Sequence, residues 1–152
     1  MIKILFVCHG NICRSTMAEQ VFKDMIIKKH RQDDFFIDSA ATSREEIGNT
    51  MHYGTQNKLR EVGIDCGNHR ARQIVPGDYE TFDYLIGMDS ANIRNMQRAF
   101  GGDPDGKIFK LLDFSDRRGE DIADPWYTGN FDETYRDVVQ GCNGLWKMLQ
   151  EA

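Results

Sequence analysis

The first twenty-six residues constrain this chain more than any other stretch. Residues 2–7, Ile-Lys-Ile-Leu-Phe-Val, form an apolar run of strand length. Cys8-His9-Gly10-Asn11-Ile12-Cys13-Arg14-Ser15 follows, and then Met17, Ala18, Val21, Phe22, Met25 and Ile26 recur at helical spacing. A strand that turns through a short loop straight into a helix is the opening of an α/β unit. Three more apolar runs, 35–38, 84–87 and 108–112, read as buried strands. Helical patterns separate them. A weaker helix covers about 50–62 and stops at Gly63. Asp89 or Ser90 caps a helix carrying Ile93, Met96 and Phe100, which Gly101-Gly102 ends. Tyr135, Val138, Val139, Cys142, Leu145, Trp146 and Leu149 share one face of a C-terminal helix. This alternation predicts an α/β fold: a single domain over 1–152, doubly wound, with a parallel sheet covered by helices on both faces. Ligands of such sheets bind beyond the carboxyl ends of the strands. The segment after residue 7 is therefore where chemistry is expected.

Charge narrows the partners. The chain carries a net charge of −5 and has a pI near 5.3. An acidic chain has no general attraction for nucleic acid or an anionic membrane surface, so no nucleic-acid or membrane partner is expected. An anionic ligand must be held by local geometry. The N-terminal apolar run is too short for a signal peptide and no cleavage site follows it, so a cytoplasmic setting is expected. Cys8, Cys13, Cys66 and Cys142 then read as free thiols. They lack the paired C-x₂₋₄-C spacing of a structural zinc site, and neither a metal nor a cofactor is expected.

The spacing after the first strand is C-x₅-R with a trailing serine. In a strand–loop–helix context the loop's N–H groups can turn inward as a nest, and the helix adds its positive end. The result is a cradle for a phosphate dianion. Gly10 permits backbone geometry that a side chain would forbid, and Asn11 tolerates the left-handed region. Helix N-termini and neighbouring cations favour the thiolate form of a cysteine. Cys8 is thus placed to attack phosphorus and form a phosphocysteine. Arg14 offers a planar fork to two phosphate oxygens. The plainer alternative makes Cys8 a strand-end core thiol and Arg14 a surface residue; the combined spacing argues against it. A Walker loop and a dinucleotide fingerprint are both absent.

Attack on a phosphate ester expels an alkoxide or phenoxide, which a carboxyl must protonate. Asp124-Pro125-Trp126-Tyr127 is the best candidate. Pro125 biases Asp124 toward extended backbone on a loop. The two aromatics either wall a phenol-binding cleft or fold into the core behind an Asp-Pro turn; the residues alone leave both open.

These motifs resemble the low-molecular-weight protein tyrosine phosphatases nearly end to end. The likeness runs from Phe6-Val7-Cys8 to Arg14-Ser15, then through Asp38-Ser39-Ala40-Ala41-Thr42, His69-Arg70-Ala71-Arg72-Gln73, Phe82-Asp83-Tyr84, Met88-Asp89 and Asp124-Pro125-Trp126-Tyr127. It implies four parallel strands in the order 2-1-3-4. It implies hydrolysis of phosphotyrosine proteins or peptides, with Cys8 as nucleophile, Arg14 as clamp and Asp124 as acid and then base. Ser15 is similar to the family serine that steadies the thiolate. Asn11, Ser39 and His69 resemble a network that fixes the loop. His9, Gly10, Asn11, Ile12, Cys13, Ser15, Glu45, Trp126 and Tyr127 are the implied substrate contacts. A Cys8–Cys13 disulfide under peroxide is also implied.

The departures bear on specificity and rigidity. Thr16 stands where the family usually has Pro, which predicts a less rigid helix start. His9 replaces an apolar residue, often Leu, and a wall that can carry positive charge would favour acidic phosphopeptides. Glu45 stands where animal members often have an aromatic. Three competing readings share parts of the pattern. Thioredoxin-coupled arsenate reductases need two further neighbouring cysteines, and Cys66 and Cys142 stand far apart in the chain. Protein-arginine phosphatases carry Thr in place of Ile12. Phosphocysteine carrier domains, which do not hydrolyse, lack the counterparts of Arg14 and Asp124.

Overall fold

A computed structural model of the chain describes residues 1–151. Its elements run β1 (Ile2–Cys8), α1 (Arg14–Lys28), β2 (Phe35–Ala41), α2 (Tyr53–Glu61), α3 (Asp78–Thr81), β3 (Tyr84–Gly87), α4 (Ser90–Phe100), β4 (Ile108–Lys110), α5 (Pro125–Thr128) and α6 (Phe131–Glu151). The four strands form one parallel sheet in the order β2-β1-β3-β4. The expected architecture and strand order are both present.

β1 is central, which explains its near-continuous apolar sequence. Ile4, Phe6 and Cys8 belong to a core shared with Met17, Phe22, Val138, Cys142 and Leu145 of α1 and α6. Leu5 and Val7 point the other way, into a core with Tyr79, Phe82 and Met96 around α3 and α4. Alternate side chains of a strand face opposite sides of the sheet, so a strand covered on both faces must be apolar throughout.

Several boundaries differ from the expectation: β1 includes Cys8, and α2 begins at Tyr53. β2 continues to Ala41, because β1 pairs with it all the way to Cys8. β4 stops at Lys110, and Leu111–Phe114 form a 3₁₀ turn whose start is held by Asp113 accepting the Lys110 N–H at 2.9 Å. Leu111 and Leu112 are fully buried there. A short apolar run reports burial and does not by itself distinguish strand from turn.

That turn explains the glycines in the middle of α6. A Cβ on Gly144 would lie 2.1 Å from the Phe114 carbonyl oxygen, and one on Gly141 would lie 2.4 Å from Leu111 Cγ. Helix and turn pack with backbone in contact. Glycine costs a helix about 1 kcal/mol relative to alanine, and here the close approach outweighs that cost. Gly144→Ala is expected to destabilise the fold by about 1–3 kcal/mol, the usual range for overpacking. Urea denaturation checks this; an unchanged midpoint would mean that α6 can shift away freely.

Candidate active site

β2 and β3 lie on opposite sides of β1, so the chain switches direction across the sheet at the carboxyl end of β1. Cys8 is the last residue of that strand. The loop after it rests on its neighbours: Thr42 N–H donates to the Cys8 carbonyl at 2.9 Å, and Ser43 N–H to that of His9 at 3.1 Å. His52 N–H donates to the Ile12 carbonyl at 2.8 Å. Two separate segments, 42–43 and the one at His52, therefore hold the C-x₅-R loop in place.

Asn11 is the hub inside the loop. It is fully buried and has a φ of 60°, the left-handed conformation that asparagine tolerates. Arg72 N–H lies 3.2 Å from Asn11 Oδ1 and can only donate, which fixes the orientation of the amide. His69 Nε2, 2.7 Å from the same oxygen, must then carry a proton. Asn11 Nδ2 donates to Ser15 Oγ at 2.7 Å and to Ser39 Oγ at 2.9 Å. Ser39 passes its own proton to Glu19 on α1. Cys8 Sγ lies 3.1 Å from Ser15 Oγ and donates to it as a thiol; with the sulfur ionised, the serine hydroxyl is free to donate back. The Asn11 N–H points at the same sulfur from 3.3 Å. The Asn11 N–H and the Ser15 hydroxyl thus both stand within hydrogen-bond distance of Sγ.

Thr16 does not leave the helix start loose. Its hydroxyl donates to the Cys13 carbonyl at 3.1 Å, a tether in the place of proline's ring. Arg14 opens α1 and is almost wholly buried. Its Nη1 donates to Asp89 Oδ2 at 2.7 Å and to the Ile122 carbonyl at 2.9 Å, while Nη2 lies 3.5 Å from Asp124 Oδ2. Burial alone would make the guanidinium easier to deprotonate, but the negative charge of Cys8 and of Asp89 outweighs it and holds Arg14 above its ordinary value. Burial likewise opposes charge on Asp89, and the bond from Arg14 overrides it to hold that carboxyl below the usual range. Arg14 Nε is buried and has no partner. Arg14 and Cys8 line the same pocket, and a buried unpaired donor there fits an incoming oxyanion.

Asp124 has extended backbone and caps the single turn of α5, accepting the Trp126 N–H at 3.0 Å. Trp126 and Tyr127 are not in the core: they are 57% and 83% exposed. They line a pocket of about 110 Å³ together with Cys8 and Asp124. His9, Gly10, Ile12, Cys13, Arg14 and Glu45 line it, as expected, and Glu46 joins them. Asn11 and Ser15 do not. They stand behind the loop, fully buried, and act on Cys8 rather than facing the pocket. The expectation for His9 also changes. Its Nε2 meets Glu45 Oε2 at 2.9 Å, so the imidazole is already committed to a carboxylate and is not the free wall that residue type offered to an acidic peptide.

The family model for low molecular weight phosphotyrosine protein phosphatase matches residues 3–152. The chain belongs to this family. It is 42% identical over 152 residues to the low molecular weight protein-tyrosine-phosphatase YfkJ of Bacillus subtilis, covering 99% of this chain and 97% of that one. It is 42% identical over 146 residues to the mouse low molecular weight phosphotyrosine protein phosphatase, covering 93% and 92%. The crystal structure of YfkJ superposes with a TM-score of 0.95 at 41% identity, covering 99% and 96%. That of DARP, a Drosophila arginine phosphatase, does so at 0.88 with 30% identity, covering 98% of each chain.

Several groups of this phosphatase's site were not singled out from the sequence. Asp89 was read only as a helix cap; it is one, accepting the Asn92 N–H at 2.8 Å, but its other oxygen holds Arg14. Glu19 sits inside a helical stripe of ordinary pattern. Arg72 acts through a backbone N–H, which leaves no signal in residue type. Glu46 lies beside Glu45 on an exposed loop. Cys13 is buried, and burial, followed by the negative charges of Cys8 and Asp124, pushes its thiol up to about 12. Glu19, Asp38 and His69 bring metal-ligand atoms within 4.8 Å of one another. Each already has other work: Glu19 accepts from Ser39 and Lys23, Asp38 pairs with Arg72 at 3.3 Å, and His69 holds Asn11.

Proposed function

We propose that this phosphatase hydrolyses phosphotyrosine in proteins or peptides through a phosphocysteine on Cys8. The buried, unpartnered Arg14 Nε in the pocket that Cys8 also lines, with the Asn11 N–H and the Ser15 hydroxyl within hydrogen-bond distance of the sulfur, carries the reading. The substrate phosphate sits in the loop nest with its oxygens on the inward N–H groups and on Arg14. Cys8 Sγ attacks phosphorus as the P–O ester bond breaks, and Asp124 gives its proton to the departing phenolate. A water then attacks the phosphocysteine, Asp124 takes its proton, and thiolate and inorganic phosphate leave. Asn11, Ser39 and His69 position the loop. No helix among the described residues is long and apolar enough to cross a membrane. The four thiols are free, which suits a reducing, cytoplasmic setting. Cys66 lies against Gln56 and Cys142 is buried in α6, so neither supports an arsenate-reducing relay from this pocket.

Depth supports an aryl substrate. Cys8 is 3% exposed, whereas Trp126 and Tyr127 stand at the mouth. A phosphoserine would leave its phosphate short of the loop. A hydrolysis panel of phosphotyrosine, phosphoserine and phosphoarginine peptides tests this, with phosphotyrosine expected to dominate. Turnover of phosphoarginine alone would overturn the substrate assignment. Replacing Trp126 and Tyr127 by Ala should raise KM for aryl phosphates more than for small alkyl phosphates. Equal effects would remove the aromatics from substrate recognition.

Oxidation provides a separate test of Cys8. Peroxide should convert its sulfur to a sulfenic acid and inactivate the enzyme, with bound phosphate protecting it. The Cys13 thiol can then attack that sulfur and expel water, forming a Cys8–Cys13 disulfide that added thiols reverse. Burial of Cys13 should make this second step slow relative to inactivation. In Cys13→Ser, inactivation should become largely irreversible. Peptide mass mapping decides: a bridge from Cys8 to another cysteine, or full thiol rescue of Cys13→Ser, makes Cys13 a packing residue.

A further inference from the structure

A groove of about 510 Å³ lies between α2 and the segments around Met51 and Asn68. It is several times roomier than the pocket at Cys8. In a chain of net charge −5, no aspartate or glutamate lines it. Arg60 and Arg70 do, together with His69, Gln56 and Asn68. Among the described residues, the side-chain bonds of both arginines go only to neutral oxygens. Arg60 Nη2 donates to Gln56 Oε1 at 3.1 Å, and Arg70 Nη1 to the Gly48 carbonyl at 2.9 Å. A guanidinium has five donors, so most of each fork is uncommitted. Of the nearby acids, Asp65 accepts the Gly67 N–H at 2.8 Å and Glu61 pairs with Lys58, while Asp38 and Glu19 lie 3.6 and 3.9 Å from His69 Nδ1 without lining the groove. The inner wall of the groove is His69, whose Nε2 donates to Asn11 Oδ1.

We propose that this groove is a second anion site, distinct from the catalytic pocket, for a small molecule bearing a di- or triphosphate. Two uncommitted guanidinium forks match the charge of linked phosphates better than that of one. The volume exceeds what a single phosphate fills. Through His69 the bound anion rests against the hydrogen-bond network that shapes the Cys8 loop. The proposal does not depend on which phosphoester the catalytic pocket hydrolyses.

The test is a titration of the full chain with inorganic pyrophosphate, followed by backbone amide resonances. Two groups of shifts are expected, one over residues 8–15 and one over 49–51 and 67–70, saturating at different concentrations. Arg60→Gln with Arg70→Gln should weaken the second group at least tenfold. The first group and the hydrolysis of an aryl phosphate should remain as in the wild type. Arg60→Gln alone, at an exposed helix position, should give an intermediate loss and guards against a folding defect in the double variant. Shifts confined to 8–15, or unchanged titration of 49–51 and 67–70 in the double variant, would overturn the proposal. In the wild type, shifts over 49–51 and 67–70 with none over 8–15 would instead count against the reading of the catalytic pocket.

Discussion

Cys8→Ser should lower turnover of aryl phosphates to the limit of detection, a loss of more than about 10⁴-fold, because the proposed covalent route would lose its nucleophile. Serine is nearly isosteric, and its hydroxyl is a far weaker nucleophile than a thiolate. The cradle survives the change. Asn11 still holds Ser15 and Ser39, and Arg14 stays fixed by Asp89 and the Ile122 carbonyl. Binding of phosphate, measured by calorimetry, should therefore persist in the variant. Burst kinetics with the wild type should show one equivalent of phenol released ahead of phosphate if the second step is slower. A Cys8→Ser enzyme with measurable steady-state turnover would remove Cys8 as nucleophile. Loss of both turnover and phosphate binding would mean that the sulfur also holds the loop in shape.

Asp124→Asn should slow hydrolysis of phosphotyrosine by about 10²–10⁴-fold, the usual contribution of general acid catalysis. The geometry favours a clean result. The oxygen that accepts the Trp126 N–H at 3.0 Å and caps α5 has a counterpart in asparagine, so the aromatic wall should stay in place. Arg14 loses the nearby charge of Asp124 but keeps its 2.7 Å bond to Asp89. What disappears is the proton. The deficit should therefore shrink for leaving groups that depart without one, such as nitrophenolate. Comparing kcat/KM for phenyl and nitrophenyl phosphates, which reports the step in which the phenol leaves, measures this. An equal deficit for both would assign Asp124 a structural role as the α5 cap.

The chemistry of the loop was legible because it is local. Cys8, Gly10, Asn11, Arg14 and Ser15 fall within eight consecutive residues, and a strand on one side with a helix on the other is enough to make a phosphate nest. The two-sided burial of β1 could be read from its unbroken apolar run for the same reason. The proposed acid was half legible. The Asp124-Pro125 pair marks extended backbone on a loop, but whether Trp126 and Tyr127 face a cleft or the core depends on what lies opposite. Tertiary structure decided that, through the Ile122 N–H bond to the Met88 carbonyl at 2.9 Å, which seats the acid-bearing segment beside the end of β3.

The partners that make the site work were outside the reach of sequence. Asp89 reaches Arg14 across 75 positions, Arg72 reaches Asn11 across 61, and Ser39 reaches Asn11 across 28. None of these has a local pattern. They meet because β1 lies between β2 and β3, which brings the loops after all three strands to one end of the sheet. His9 shows the same limit in charge: residue type offered a cation to the substrate, and the fold placed Glu45 against it. Sequence determines which groups a segment carries and how a few neighbouring residues can bend. Strand order determines which carboxylate, amide or N–H stands within 3 Å of them, and at that distance a hydrogen bond or ion pair decides the role.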